Sequence, residues 1–104
     1  MRQDIRGRLI QVARKGEIVF YSELGIGRGQ VAGTILGDIS EYEHSNQRPL
    51  LTAVVANKAK GMPSPGFWGL SAVPSNLTDK QRPVFWAREL IRVIEYWQSH
   101  PNEK

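Results

Sequence analysis

Apolar positions along the chain fall into distinct patterns, and each predicts an element. Ile5, Leu9, Val12 and Ala13 recur at spacings of three and four, one face of an amphipathic helix. Gly16 follows Arg14 and Lys15, a stop signal with cations at the negative end of the helix dipole. Ile18-Val19-Phe20 reads as a short strand or extended connector. Ser22 then caps a short helix with Glu23 in its first turn, and Gly25, Gly27 and Gly29 break it. A longer helix is expected from Gln30 to Glu43, its buried stripe formed by Val31, Ile35, Leu36 and Ile39. Gly33 and Gly37 weaken it by about 1 kcal/mol each relative to alanine, and their spacing of four leaves room for close packing.

After the loop Ser45–Pro49, the run Leu50–Ala56 is apolar and β-branched enough for a buried strand. Lys58–Pro65 is a turn rich in Lys, Gly and Pro, and Phe67–Val73 returns as a second strand, so the two form a β-hairpin with a long tip. Phe85, Trp86, Leu90, Val93, Ile94 and Trp97 lie at helical spacing and predict a long C-terminal helix. Thr78 and Gln81 are spaced as a capping box, but Pro83 removes a backbone donor, so regular helix is expected from near Arg82 until His100-Pro101 ends it.

This order describes an α+β, winged-helix-like domain: three helices, a β-hairpin wing and a long C-terminal helix. At 104 residues the chain is one domain, residues 1–104, with a single core. The absence of cysteine excludes disulfides, thiolate metal sites and a cysteine nucleophile. No signal-peptide core and no apolar run near the roughly 20 residues of a membrane span are present, so a cytoplasmic protein without a membrane partner is expected. Residues 1–15 hold five basic groups and one acidic group, which accounts for the whole formal net charge of +4. Such a segment suits phosphate or an acidic partner, or forms a solvated helix face.

Phe20-Tyr21-Ser22-Glu23-Leu24, Val31 through Leu36, Pro49-Leu50-Leu51 and Gly66-Phe67-Trp68 resemble the winged-helix domain of alkyltransferase-like DNA repair proteins. That family carries Pro-Cys-His-Arg where this chain reads Leu51-Thr52-Ala53-Val54-Val55-Ala56. The resemblance therefore implies a fold, excludes alkyl transfer and carries over no functional residue. Ile39-Ser40-Glu41-Tyr42-Glu43, Arg48-Pro49-Leu50-Leu51, Gly61-Met62-Pro63 and Gly66-Phe67-Trp68 are similar to small uncharacterised bacterial proteins with no attached activity.

Two sets of residues can carry chemistry. Asp38, Glu41, Glu43 and His44 concentrate carboxylates and an imidazole at one helix end. Such groups can hold a divalent cation and activate water for phosphodiester hydrolysis, with Arg48 as a phosphate clamp. The catalytic candidates of that reading are Glu41, Glu43, His44 and Arg48. Their spacing matches no established metal motif, so no metal or cofactor is assigned, and the competing expectation is an ion pair of Arg48 with Glu41 or Glu43. The second set binds nucleic acid: Gln30 and Thr34 read bases, Arg28 and the wing lysines Lys58 and Lys60 meet phosphates, and Tyr21 and Trp68 stack on bases. Asp38 and Glu41 have the wrong sign for a phosphate backbone, so only the N-terminal end of that helix can approach it. Nucleic-acid binding, with DNA favoured, is the leading expectation. The alternatives are a metal-assisted hydrolase or nuclease and an interaction module that homodimerises through the tryptophan-bearing last helix.

Overall fold

A computed structural model of the chain describes residues 1–27, 29–63 and 65–104. The three main helices are α1 (Gln3–Arg14), α2 (Gly29–Ser45) and α3 (Gln81–Ser99). Two short strands, β1 (Val19–Phe20) and β2 (Val55–Ala56), pair in parallel, with Val19 opposite Val55 and Phe20 opposite Ala56. The result is a helical domain with a small two-stranded parallel sheet, and no described helix is long and apolar enough to cross a membrane.

α1 buries Ile5, Leu9, Ile10 and Ala13, close to the expected stripe, but Arg6 is buried with them. The stripe of α2 is rotated from its expected position. Ala32, Leu36, Ile39, Ser40 and Glu43 face inward, while Val31 is 64% exposed. Ser40 and Glu43 belong to the buried face because each has a polar partner there: the Thr52 hydroxyl for Ser40 and two arginines for Glu43. The expected short helix is a single 3-10 turn, Tyr21–Glu23. The amide of the residue that precedes it is held by the Glu23 carboxylate, which accepts from Phe20 N at 2.9 Å.

The β-hairpin wing does not form among the described residues. Leu50–Ala56 is buried throughout, but Leu51–Val54 is a 3-10 turn and only Val55–Ala56 is extended. A continuous apolar run does not distinguish these by periodicity. Here side chains replace the strand ladder as partners of the backbone. Leu50 N donates to Glu89 Oε2 at 2.8 Å, Thr52 N to Ser40 Oγ at 3.3 Å, and Ala53 O accepts Trp86 Nε1–H at 2.8 Å. The expected second strand is also absent: Pro65–Gly69 is a 3-10 helix, and Leu70 N and Val73 N bond back to Phe67 O and Leu70 O. Phe67, Leu70 and Val73 are all buried, and a spacing of three is that of a 3-10 path, not of an alternating strand. The loop between is closed by a single antiparallel bridge, Asn57 to Met62.

The 3-10 turn Leu51–Val54 packs against α1, α2 and α3 and so forms the centre of the core. α3 starts at Gln81 with Lys80 as its N-cap, and Thr78 and Gln81 exchange backbone-to-side-chain bonds of 2.9 and 3.2 Å across the turn that precedes it. Pro83 falls in the first turn, where a backbone N–H has no ladder partner to lose. Trp97 is fully buried and Trp86 half-buried against the core, so the tryptophan face of α3 packs inward.

Trp86→Phe removes the donor to Ala53 O while keeping most of the ring's packing. It is expected to cost about 1–3 kcal/mol, measured as a lowered urea midpoint at unchanged m-value.

Candidate nucleic-acid interface

The acidic candidates separate in space. Glu43 is fully buried and its carboxylate is shared by two guanidiniums: Arg6 Nε donates to Oε1 at 2.7 Å and Arg48 Nε donates to Oε2. The Tyr42 ring lies against both guanidiniums, 5.2 and 5.3 Å from its centroid, and Trp97 lies 5.6 Å from that of Arg6. Arg48 extends to Glu103 at 3.2 Å, and Tyr96 donates its hydroxyl to Glu103 at 2.7 Å. Glu41 is exposed and accepts from Ser71 Oγ at 2.7 Å, while His44 and Asp38 are exposed. Glu43 and Arg48 are therefore brought together, but Glu41 and His44 are not brought to them. Among the described residues no three His, Asp or Glu side chains are placed to hold a metal ion.

Four of the nucleic-acid candidates, Tyr21, Gln30, Thr34 and Lys58, line an open groove of about 1110 Å³. One wall is the 3-10 turn at Tyr21 and the glycine turn after it. A second is the N-terminal half of α2 with Gln30 and Thr34, and a third is the loop carrying Asn57 and Lys58. Gly25 and Gly27 have φ of 66° and 82°, left-handed values that cost other residues about 1 kcal/mol or more. A Cβ at either position meets nothing within 4 Å, so glycine is required by the dihedral and not by crowding. These two glycines let the chain double back around the buried Ile26 and open the groove beside α2.

Asn57 sets the opposite wall. Its Oδ1 accepts from Ala59 N at 2.9 Å and Lys60 N at 3.3 Å, and its backbone bonds to Met62 O and Gly61 N at 2.7 Å each. The lysines are thus carried by a closed loop. Lys58 lines the large groove, whereas Lys60 lines a neighbouring cleft of about 260 Å³ with Trp68, Asp79 and Arg82. Both clefts include Asn57 and Pro65, so the loop divides them.

The stacking candidates are divided in the same way. Tyr21 is half-buried on the large groove. Trp68 is half-buried on the small cleft, with Phe67 edge-on at 5.1 Å and the Arg82 guanidinium 5.3 Å from its ring centroid. Arg28 lies outside the described residues.

No carboxylate lines the large groove among the described residues, and Lys58 is the charged side chain there. Asp38 and Glu41 are exposed further along α2, so the negative charges of that helix lie beyond its first turns. The basic N-terminal segment contributes less than its charge implies. Arg2 pairs with Asp4 at 2.8 Å, Arg6 with Glu43, and Arg8 donates to Glu23 O at 2.6 Å. Arg14 donates to the carbonyls of Trp97, His100 and Glu103 at the end of α3.

Two residues that shape these sites lie outside the sequence-based set. Arg6 is one position off the apolar stripe of α1, and Arg6, Ile10 and Ala13 at spacings of four and three are its only sign. Asn57 opens a Lys- and Gly-rich turn, which is an Asx-turn signal.

Hydrogen bonding from Tyr96, with the charge of Arg48 beside it, holds the Glu103 carboxyl below its ordinary value of 4.5. Burial and the Glu103 bond push the Tyr96 phenol above its ordinary value of 10.0. A carboxylate with a lowered folded-state pKa stabilises fully above its unfolded value, and that contribution is lost as pH falls through the folded one. Glu103→Gln is therefore expected to lower stability at pH 7 and to flatten the loss of stability below pH 4.5, read from urea midpoints across acid pH. Glu43→Ala strands the buried Arg6 guanidinium and leaves Arg48 with Glu103 alone, and is expected to destabilise by about 3–5 kcal/mol, whereas Glu41→Ala stays within about 0.5 kcal/mol of wild type; both are checked by urea unfolding. No family model, curated protein or solved structure matches the chain.

Proposed function

We propose that the chain is a nucleic-acid-binding module of winged-helix-like type, in which the closed loop from Asn57 to Met62 stands where a hairpin wing would be. One observation carries this reading: a groove at the N-terminal half of α2 with no carboxylate among its described lining residues, faced by exposed Gln30 and Thr34 and flanked by a loop bearing Lys58. The roles follow from the chemistry. Gln30 and Thr34 lie about one turn apart on one exposed face and present amide and hydroxyl groups suited to base edges. Lys58, with Lys60 across the loop, supplies phosphate contacts that add affinity without sequence information. The positive end of the α2 dipole opens on the same groove and favours an anion there. Tyr21 supplies an aromatic surface on its wall.

Duplex DNA is the first partner to test, by fluorescence anisotropy at low salt. Binding stronger than about 100 μM is expected, the weak end of non-specific affinity. Lys58→Glu is expected to weaken all sequences alike and to lower the salt slope by about 1. Gln30→Ala is expected to change the ranking among sequences. Absence of binding at about 100 μM to duplex or single strands overturns the reading.

A further inference from the structure

The side of α3 turned away from the core forms a second surface, distinct from the groove. Glu89, Val93 and Trp97 point inward, so Val84, Arg88, Ile91 and Glu95 make a stripe on the opposite side at spacings of four, three and four. Val84 and Ile91 are 52% and 55% exposed. Single exposed aliphatics are ordinary on a protein surface, and the charges between them are the informative part. Arg88 and Glu95 are exposed, and among the described residues neither side chain has an ion pair or hydrogen bond. They are two turns apart, about 10.5 Å along the axis, too far to pair within one helix. Their neighbours Glu89 and Arg92, three apart, do pair at 2.6 Å.

We propose that this stripe pairs with the same stripe of a second copy, α3 against α3 and antiparallel. The alternating spacing of three and four is that of a coiled-coil seam. A two-fold axis at Ile91 sets Ile91 on the partner's Ile91 and places Arg88 beside the partner's Glu95, and symmetry repeats that ion pair. Parallel pairing instead sets Arg88 on the partner's Arg88 and Glu95 on the partner's Glu95, which is repulsive. The order of charges thus selects both the occupant, a second copy of this chain, and its direction. The stripe is short, and its interface falls below the roughly 1,200 Å² of stable complexes, so the dimer is weak and depends on concentration.

Sedimentation velocity on the intact chain without nucleic acid tests this across roughly 10 μM to 1 mM, the range of weak association. The mean mass is expected to rise from the 11.7 kDa monomer toward twice that value. Arg88→Glu and Glu95→Arg are each expected to weaken the dimer roughly tenfold, because each turns two attractions into two repulsions. The double variant restores wild-type association, and Ile91→Asp abolishes it. All three substituted positions are exposed, so far-ultraviolet circular dichroism stays unchanged. A monomer at every concentration, a double variant as weak as the singles, or an Ile91→Asp protein that still dimerises overturns the proposal.

Discussion

The structure depends on one buried carboxylate. Glu43 is fully enclosed at the last turns of α2 and holds Arg6 of α1 and Arg48 of the following loop. Removing these charges from water is costly, and their attraction offsets it only with good geometry and further hydrogen bonds. Both oxygens of Glu43 are used. Glu103 adds a second negative charge, so two carboxylates face two guanidiniums. The arrangement also fixes the path of the chain. Arg48 N bonds to Glu43 O at 2.9 Å, and Gln47 between them takes a left-handed φ of 60°. That turn directs Pro49 and Leu50 into the core.

What enters the core then determines where the groove lies. Leu51–Val54 is packed between three helices and leaves through β2, whose partner is β1. The register ends with Phe20 opposite Ala56. The next residues, Tyr21 and Asn57, leave the sheet side by side, and both line the groove. The parallel pair is only two residues long, but it brings together two segments 36 positions apart. The groove is therefore a consequence of a buried turn and a short register, with no long strand needed to frame it.

How much of this the sequence reveals depends on whether a signal is local. The buried faces of α1 and α3 are legible because helical periodicity repeats over several turns. The pairing of Arg48 with Glu43 is among the expected outcomes because the two lie five residues apart across a helix end. The wing is misread because a run buried on every side has no period, and because Phe67, Leu70 and Val73 are apolar in either backbone. The basic segment is misjudged for another reason: net charge counts Arg6, Arg8 and Arg14 as available, but their partners lie 15 to 89 residues away. The aromatic candidates are each plausible alone, and only the Asn57 loop shows that Tyr21 and Trp68 belong to different clefts.

Helix α2 separates two tasks along its length. Gln30 and Glu43 are 13 residues apart, about 20 Å along the axis. At the C-terminal end charges are internal and matched, which fixes the helix against α1 and the tail. At the N-terminal end the described side chains facing solvent, Gln30, Val31 and Thr34, carry no charge, and the helix opens on glycine turns. Asp38 and Glu41 stand between the ends and set an electrostatic limit on how far a polyanion can follow the helix. A charge change at Glu43 acts through folding, because it strands the buried Arg6 guanidinium. One at Gln30 or Lys58 acts at an exposed surface, where nothing in the core depends on it. If the groove binds nucleic acid as proposed, stability and recognition are placed far enough apart on one rigid element to be altered independently.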